Sequence, residues 1–400
     1  MRSAFAGALA LVTVAVSAPA EAAGFAIPEQ TARATGAAGT GVASSIGAAG
    51  IYYNPGAVAF EDGIAAELSL LMLLPTLTAT NTTRTASWLS ATFPGIAPTF
   101  FVAAPVTERL YLGLGAFSAF GARVKWPADF PGRFEGSGSD LTTYTFNPTV
   151  SLRVNDDIGI GAGFDLVRAA VQLDRQLDFV SAEGSLKLGG GTFGVGGNVG
   201  IEMRMMSKRL RLGASYRSAT ALNFDGTASF DVPPELEAQL RDQDVHTTFV
   251  LPHTLSFGAA FLVTPRVLLT AESTYTTWST LQSIDLDFED DSLDQSLRRD
   301  WNNTASIKVA GDFKLTREIS LRGGLGFDPT PSPDDTTQPS LPDASRMIAS
   351  VGAGYRMGNI GFDLGYLFAL LLPKTTTGEA YPATYSGMAH VISLGASFRQ

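Results

Sequence analysis

The chain has 400 residues, of which 45% are hydrophobic and only 16% are charged, with 42 glycines, 21 prolines and no cysteine. Ordinary soluble domains carry about 25% charged residues, so a large core or a lipid-facing surface must take up the apolar side chains. The formal net charge of −10 argues against a nucleic-acid partner, which needs clustered lysine and arginine, and the lack of cysteine excludes a disulfide framework.

Residues 1–22 have the pattern of a secretory signal peptide. Arg2 supplies the positive start, residues 4–18 are almost wholly apolar or small, and Ala20-Glu21-Ala22 forms a small-x-small cleavage site. We therefore expect an exported protein. Beyond this segment we find no run of eighteen apolar residues, which argues against a helical membrane protein.

Residues 23–60 differ from the rest of the chain because they are rich in glycine and alanine and carry no alternation of apolar and polar side chains. Small residues allow close backbone packing, so this segment is expected to fill a barrel lumen as a compact plug, here called the hatch. Asn54, Pro55 and Gly56 would end the hatch in a turn, since proline holds the preceding residue out of the helical region. The alternative is a disordered leader, which the neighbouring aromatic pair Tyr52 and Tyr53 disfavours.

Residues 61–400 show a hydrophobic period of two, which is typical of strands with one apolar face. Near residue 64 the apolar set includes Ile64, Leu68 and Leu70, while Glu67 and Ser69 lie on the other face. In a soluble sandwich the apolar face packs against a second sheet, whereas in an outer-membrane barrel it faces lipid. Alternation alone does not distinguish these two folds.

The spacing of turns favours the barrel. Successive short turn signals are 49, 51, 58, 52 and 41 residues apart, and each gap fits two strands of about eleven residues and one long loop. The short turns are expected at 107–108, 155–157, 207–208, 264–265, 316–317 and 358–359. The long loops are expected at 76–95, 122–138, 174–190, 225–250, 287–302, 329–344 and 372–386. Seven loops and six turns connect fourteen strands, so we predict an all-β, 14-stranded antiparallel transmembrane β-barrel with an N-terminal hatch inside the lumen.

Aromatic residues near the predicted strand ends suggest two interfacial girdles, in which aromatic rings lie at the lipid headgroups. The alternative is that these rings are scattered core residues. The candidates are Phe100, Phe101, Tyr111, Trp126, Tyr275, Trp278, Trp301, Tyr355, Tyr366 and Phe398. We expect the last strand, from Val391 to Phe398, to close the barrel beside the first.

Motifs for catalysis, cofactors or metals are weak. Residues 189–194 match G-x-G-x-x-G, but no βαβ unit surrounds them, so strand or loop glycines are expected. His246, His253 and His390 lack the spacing of metal ligands, and the acidic stretch 285–294 lacks the glycine and terminal glutamate of a calcium loop. No G-x-S-x-G nucleophile elbow is present either. From these observations together we predict no enzyme activity, no cofactor and no metal.

The hatch begins with Gly24-Phe25, followed by the acidic residue Glu29, and ends in Asn54-Pro55-Gly56-Ala57. In these features it resembles the N-terminus of the FadL/TodX family of outer-membrane transporters for long-chain fatty acids and aromatic hydrocarbons, which has Asn-Pro-Ala at the position of this turn. A second block, residues 326–331 with 341–346, is similar to the proline-rich loop after the family's eleventh strand.

The resemblance implies capture of a hydrophobic molecule by external loops, binding in a lumenal pocket, and release when the hatch shifts, with lateral exit through a kinked third strand. The third strand predicted here, Leu110 to Gly121, contains Gly113, Gly115 and Gly121, and glycine inside a strand marks bends. The resemblance also implies that Phe25 lies in the pocket.

A fatty-acid carboxylate needs a cation when it is buried, whereas an aromatic hydrocarbon needs none. By resemblance, the candidates are arginines at outer strand ends, namely Arg168, Arg175, Arg298 and Arg299. The alternative for these residues is an ordinary rim or lipopolysaccharide contact.

We therefore predict a monomeric, multi-pass protein of the cell outer membrane whose partners are a hydrophobic small molecule, membrane lipid and lipopolysaccharide. The leading function is transport of long-chain fatty acids or related lipophilic compounds. An aromatic-hydrocarbon channel and a general porin or structural barrel stay open as alternatives.

Overall fold

The computed structural model describes residues 24–83, 85–91, 94–179, 182–378 and 381–400. The predicted signal peptide, residues 1–22, lies outside the described residues. Three short α-helices lie in the hatch, namely α1 (Ala32–Thr35), α2 (Gly50–Tyr53) and α3 (Pro55–Val58). Four 3-10 helices cover Gly47–Ala49, Pro131–Phe134, Trp278–Thr280 and Asp291–Leu293. None of the helices in this described part of the chain is long and apolar enough to cross a bilayer.

The rest of the described chain is mostly β-strand. The strands are β1 (Ala65–Asn81), β2 (Ser87–Leu89), β3 (Gly95–Pro105), β4 (Leu110–Phe117), β5 (Gly121–Lys125), β6 (Gly138–Arg153), β7 (Ile158–Asp178), β8 (Glu183–Met205), β9 (Leu210–Arg217), β10 (Thr220–Asp231), β11 (Gln243–Leu251), β12 (Thr254–Thr264), β13 (Val267–Thr276), β14 (Ser283–Phe288), β15 (Gln295–Arg298), β16 (Thr304–Lys314), β17 (Ile319–Asp328), β18 (Arg346–Met357), β19 (Ile360–Thr375) and β20 (Ala383–Arg399).

These strands close into a barrel of fourteen antiparallel wall strands, which confirms the predicted fold. Strand β1 pairs with β3 on one side and with β20 on the other, where Ala65 stands opposite Arg399. The third, seventh and eighth wall strands are each interrupted and consist of β4 with β5, β9 with β10, and β11 with β12. The short β2 pairs with β1, and the β14–β15 hairpin pairs with β11.

The alternation read from the sequence is confirmed along the wall. Leu68 and Leu70 are 56% and 49% exposed on the outer face, while Glu67 and Ser69 are buried toward the lumen. An outer face of this kind suits hydrocarbon, and the polar inner face suits a lumen.

The predicted connections are right on one side of the barrel and partly wrong on the other. All six short turns are present, at 106–109, 154–157, 206–209, 265–266, 315–318 and 358–359. The predicted loop at 174–190 is instead mostly strand, because β7 runs to Asp178 and β8 starts at Glu183. Leu186 and Leu188 of β8 pack against Leu286 and Phe288 of β14. The extended β7–β8 hairpin is therefore covered by an apolar contact with the β14–β15 hairpin.

The ten residues predicted for the aromatic girdles divide into an exposed set and a buried set. Phe100, Tyr275, Tyr355, Tyr366 and Phe398 are 37–49% exposed on the outer face. Phe101, Tyr111, Trp126, Trp278 and Trp301 are buried instead. The girdle prediction is therefore wrong for these five buried residues, which lie inside the barrel.

The hatch lies against the lumenal face of the wall, and almost all of its residues are buried. Wall glycines provide the space for it. A side chain at Gly161 would overlap Pro55, one at Gly200 would overlap Asn54, and one at Gly365 would overlap α1. The small residues of the hatch and the glycines of the wall therefore allow close backbone contact.

Candidate functional site

The turn that ends the hatch is anchored by Asn54, which is fully buried. Its side-chain oxygen accepts a hydrogen bond from Gly56 N at 3.1 Å and caps α3, while Nδ2 donates to Val42 O at 2.9 Å and to Ile201 O at 3.0 Å. Pro55 occupies the first turn of α3, where its missing N–H is not needed. One side chain thus joins two parts of the hatch to β8.

Polar wall side chains hold the hatch on two further sides. Ser151 Oγ donates to Pro55 O at 2.7 Å. Across the lumen, Glu272 Oε2 accepts hydrogen bonds from Gly41 N and Val42 N, both at 2.8 Å. Because the acceptor is a buried carboxylate, these bonds are charge-assisted.

The start of the hatch fills the interruption in the third wall strand. Strand β4 ends at Phe117 and β5 begins at Gly121. Ile27 N donates to Ala119 O at 2.8 Å, Gly121 N donates to Phe25 O at 2.9 Å, and Gln30 Nε2 donates to Ser118 O at 2.7 Å. Backbone groups left without a partner by the break are therefore satisfied by the hatch.

The three glycines proposed as a strand kink occupy two different environments. Gly113 and Gly115 lie within regular β4, where a side chain would overlap Ile51 of the hatch. Gly121 is the first residue after the break. The break itself falls at Ser118, Ala119 and Phe120, which sequence reasoning did not single out.

An apolar cavity with about 80 Å³ of free space lies beside Phe25. Phe25 is 4% exposed and is surrounded by aromatic rings, with centroid distances of 4.7 Å to Trp278, 5.4 Å to Phe249 and 5.8 Å to Trp301. The remaining apolar lining includes Leu141, Val171, Leu188, Phe224 and Val245. The two tryptophans were missed as pocket neighbours because their position near strand ends also fits a girdle.

Arg299 is the buried cation of this cavity. Its side chain is 3% exposed, Nη1 donates to Gln338 Oε1 at 2.6 Å and Nη2 donates to Ser340 Oγ at 3.2 Å. Its buried Nε has no hydrogen-bond partner, and no carboxylate of the described residues lies within ion-pair distance of it. Burial lowers the pKa of Arg299 to about 10.

The other three candidate arginines do not line the cavity. Arg168 lies on the exposed outer face and donates to Ala169 O and Thr192 O, at 2.6 and 2.8 Å. Arg175 is half-buried and donates to Phe134 O at 2.5 Å. Arg298 is exposed and forms ion pairs with Asp300 and Asp335, at 2.5 and 3.4 Å.

A second apolar depression, of about 370 Å³, lies beside the broken strand. Its lining includes Phe100, Phe146 and Phe193, which are exposed on the outer face, and Phe117, the last residue of β4. Arg168 stands at its edge, with its guanidinium 5.0 Å from the Phe193 ring centroid. Apolar surfaces are therefore present both inside and outside the break.

Within the described ranges, no group of three or more His, Asp or Glu side chains is arranged to hold a metal ion. The cavity combines apolar walls with one buried guanidinium that has an unused donor, an arrangement that suits an amphipathic anion.

The family model described as "Outer membrane protein transport protein (OMPP1/FadL/TodX)" matches residues 13–399. The chain is similar to a long-chain fatty acid transport protein of Escherichia coli, at 25% identity over 95% of this chain and 94% of that protein. It is also similar to the 47 kDa outer membrane protein of Pasteurella multocida, at 24% identity over 98% of this chain and 97% of the relative.

Solved structures share the fold. The crystal structure of a Pseudomonas aeruginosa FadL homologue has a TM-score of 0.86 at 21% identity and covers 94% of this chain and 100% of its own. The toluene transporter TodX of P. putida has a TM-score of 0.75 at 17% identity, covering 95% of this chain and 99% of its own.

Proposed function

Because this chain belongs to the OMPP1/FadL/TodX family of outer membrane transport proteins, we propose that it carries long-chain fatty acids into the cell. The protein lies in the outer membrane, and its family consists of transporters rather than enzymes. The substrate class rests on one observation, the guanidinium of Arg299 in the wall of the apolar cavity.

The guanidinium of Arg299 can form hydrogen bonds to a carboxylate, whereas a hydrocarbon has no group that accepts them. A buried carboxylate without a partner is unfavourable by several kcal/mol, and a guanidinium removes that cost through charge-assisted hydrogen bonds. The free Nε of Arg299 provides a donor that the described residues do not use. An uncharged ligand gains nothing from this group.

The cavity gives the bound acid a direction. Arg299 is held by Gln338 and Ser340, which belong to the loop between β17 and β18. Phe25 lines the same cavity and belongs to the hatch, where its carbonyl accepts a hydrogen bond from Gly121 N beside the broken strand. The carboxylate would therefore stay near the external loops while the acyl chain extends toward Phe25.

Ligand binding is coupled to the hatch through Phe25. The free space of about 80 Å³ is small compared with the roughly 300–1,000 Å³ of pockets for drug-sized ligands. A long acyl chain would fit after Phe25 moves. Since the carbonyl of Phe25 accepts from Gly121 N, such a movement would weaken the seal across the break and open a lateral exit toward the outer depression.

An aromatic hydrocarbon is the second candidate substrate. The ring cluster of Phe25, Phe249, Trp278 and Trp301 could stack on a small aromatic molecule, because offset and edge contacts between rings are favourable. A general porin is disfavoured, because the hatch is packed against the lumenal wall through Asn54 and Glu272.

We further propose that the protein is a monomer. Its apolar outer face contacts membrane lipid, and exposed cations such as Arg168 contact lipopolysaccharide. Multi-angle light scattering of the protein in detergent, with and without added lipopolysaccharide, tests both points. A stable dimer would overturn the first, and unchanged lipopolysaccharide binding in Arg168→Gln would overturn the second.

The substrate test compares oleate with toluene. Titration calorimetry of the purified protein should give about 10- to 100-fold weaker oleate binding in Arg299→Met, since hydrogen bonds to charged groups contribute roughly 1.5–3 kcal/mol. Toluene binding should be unchanged. Arg298→Met, which alters the neighbouring exposed side chain, is the matched control and should bind both ligands normally. Equal oleate affinity in the two variants would refute the carboxylate assignment.

A further inference from the structure

A row of five lumenal residues crosses the wall of the cavity on five adjacent strands. Leu141 pairs with Val171, Val171 with Gly190, Gly190 with Gly226, and Gly226 with Val245. All five residues line the cavity. The third and fourth positions are glycines, so the wall recedes there by the depth of a side chain.

The strand backbones approach each other closely at this point. A Cβ at Gly190 would stand 3.3 Å from Asp225 O and from Gly226 Cα, and a Cβ at Gly226 would overlap Gly189 O. Alanine at Gly190 thus requires shifts of a few tenths of an ångström, whereas a side chain at Gly226 meets backbone. Gly190 is the position at which the recess can be filled experimentally.

Larger apolar side chains surround the recess. Leu188 lies one lumenal position away on β8, Phe224 lies one position away on β10, and both also line the cavity. Ser340, which contacts Arg299, accepts a hydrogen bond from Ser139, one lumenal position outward of Leu141 on β6. Since a strand rises about 3.4 Å per residue, the recess lies about 7 Å farther along the wall than Ser139.

We propose that the Gly190–Gly226 pair is a specificity notch, which admits the wider, bent segment of a cis-unsaturated acyl chain beyond its carboxylate. A straight chain passes Leu188 and Phe224 without needing the extra width, whereas a bent chain needs a recess on one side. This inference rests on the proposed function, because it assumes an acyl ligand with its carboxylate near Arg299.

Oleate and elaidate provide the test, since they have equal length and charge and differ only in the geometry of one double bond. In the full protein, Gly190→Val should weaken oleate binding by about tenfold or more, because filling a packed site forces repacking. Elaidate binding should change less than about threefold, and Gly190→Ala should give an intermediate loss for oleate.

Gly189→Val is the matched control: the Gly189 backbone also lines the cavity, but its Cβ position is on the exposed side of β8 with no atom within 4 Å, so the added side chain stays out of the recess. It should bind both acids as the unmodified protein does. If Gly190→Val leaves both affinities unchanged, or lowers both equally, the notch is overturned while the transport proposal stands. If the unmodified protein binds neither acid, the proposed function fails instead.

Discussion

Ala26 and Phe120 face each other as an isolated antiparallel β-bridge, although Ala26 belongs to the hatch and Phe120 to the barrel wall. The flanking hydrogen bonds join Ile27 N to Ala119 O and Gly121 N to Phe25 O. This pattern defines a non-hydrogen-bonded pair, in which the Cα atoms are typically about 4.5 Å apart. The hatch therefore completes the broken strand with its own backbone.

A disulfide between these two positions should lock the exit. The chain contains no cysteine, and the close side-chain spacing of a non-hydrogen-bonded pair suits disulfide geometry. We expect the oxidised double variant Ala26→Cys/Phe120→Cys to lose oleate uptake by whole cells, and reduction with dithiothreitol to restore it.

The single variants Ala26→Cys and Phe120→Cys control for the loss of the Phe120 ring, and neither should respond to the reductant. Gel mobility of the oxidised protein reports how much crosslink has formed. Full uptake by completely crosslinked protein would show that release does not require separation of the hatch from the break.

Glycine at position 56 is a requirement of close packing rather than of backbone conformation. A Cβ there would stand 2.7 Å from Gly159 O, 2.9 Å from Gly200 O and 2.9 Å from Glu202 N. Gly56→Ala should therefore lower the free energy of unfolding by about 1–3 kcal/mol, as overpacked sites do. Guanidinium denaturation of the detergent-solubilised protein measures this change.

Gly189→Ala makes the same substitution where the added methyl group meets nothing within 4 Å. Its unfolding midpoint should match that of the unmodified protein. Equal midpoints for Gly56→Ala and Gly189→Ala would contradict the packing argument.

Local patterns predicted the wall well, because lipid and lumen impose opposite demands on adjacent residues. Glu67 and Leu68 could be assigned to opposite faces from alternation alone, and both assignments are confirmed. The same reasoning failed for Trp278 and Trp301, since an aromatic residue near a strand end suits either an interface or a lumenal cluster.

The site depended on tertiary contacts that no local pattern encodes. Arg298 and Arg299 are equivalent in the sequence, yet one is 66% exposed and ion-paired and the other is buried beside the cavity. The break at Ala119 is defined by hydrogen bonds to residues far away in the hatch, so glycine positions in the strand did not locate it.

Glu272 should control the mobility of the middle of the hatch. Its Oε2 accepts from Gly41 N and Val42 N, both at 2.8 Å. Glu272→Gln retains the shape but removes the charge, so each bond should weaken, since charged partners contribute roughly 1.5–3 kcal/mol. Hydrogen exchange of these two amides should become at least about tenfold faster. Glu318→Gln, in an exposed turn, is the control, and unchanged exchange in Glu272→Gln would argue against this anchor.

The titration of Arg299 gives oleate binding a specific pH dependence. Burial lowers its pKa to about 10, so the cation predominates below this pH and is lost above it. Oleate affinity should therefore be level between about pH 7 and pH 9 and fall as the pH rises above about 10, whereas toluene affinity should not follow this curve.

Unfolding would not explain such a loss. Because the pKa of Arg299 is lower in the folded protein than in an unfolded chain, the unfolded state binds more protons between the two values, and this group favours folding more as the pH rises through that window. In Arg299→Met the remaining oleate affinity should be level across the same pH range. In Arg299→Lys the decline should begin at a lower pH, since a buried lysine titrates at a lower pH than a buried arginine. Equal pH profiles for all three proteins would exclude Arg299 as the carboxylate partner.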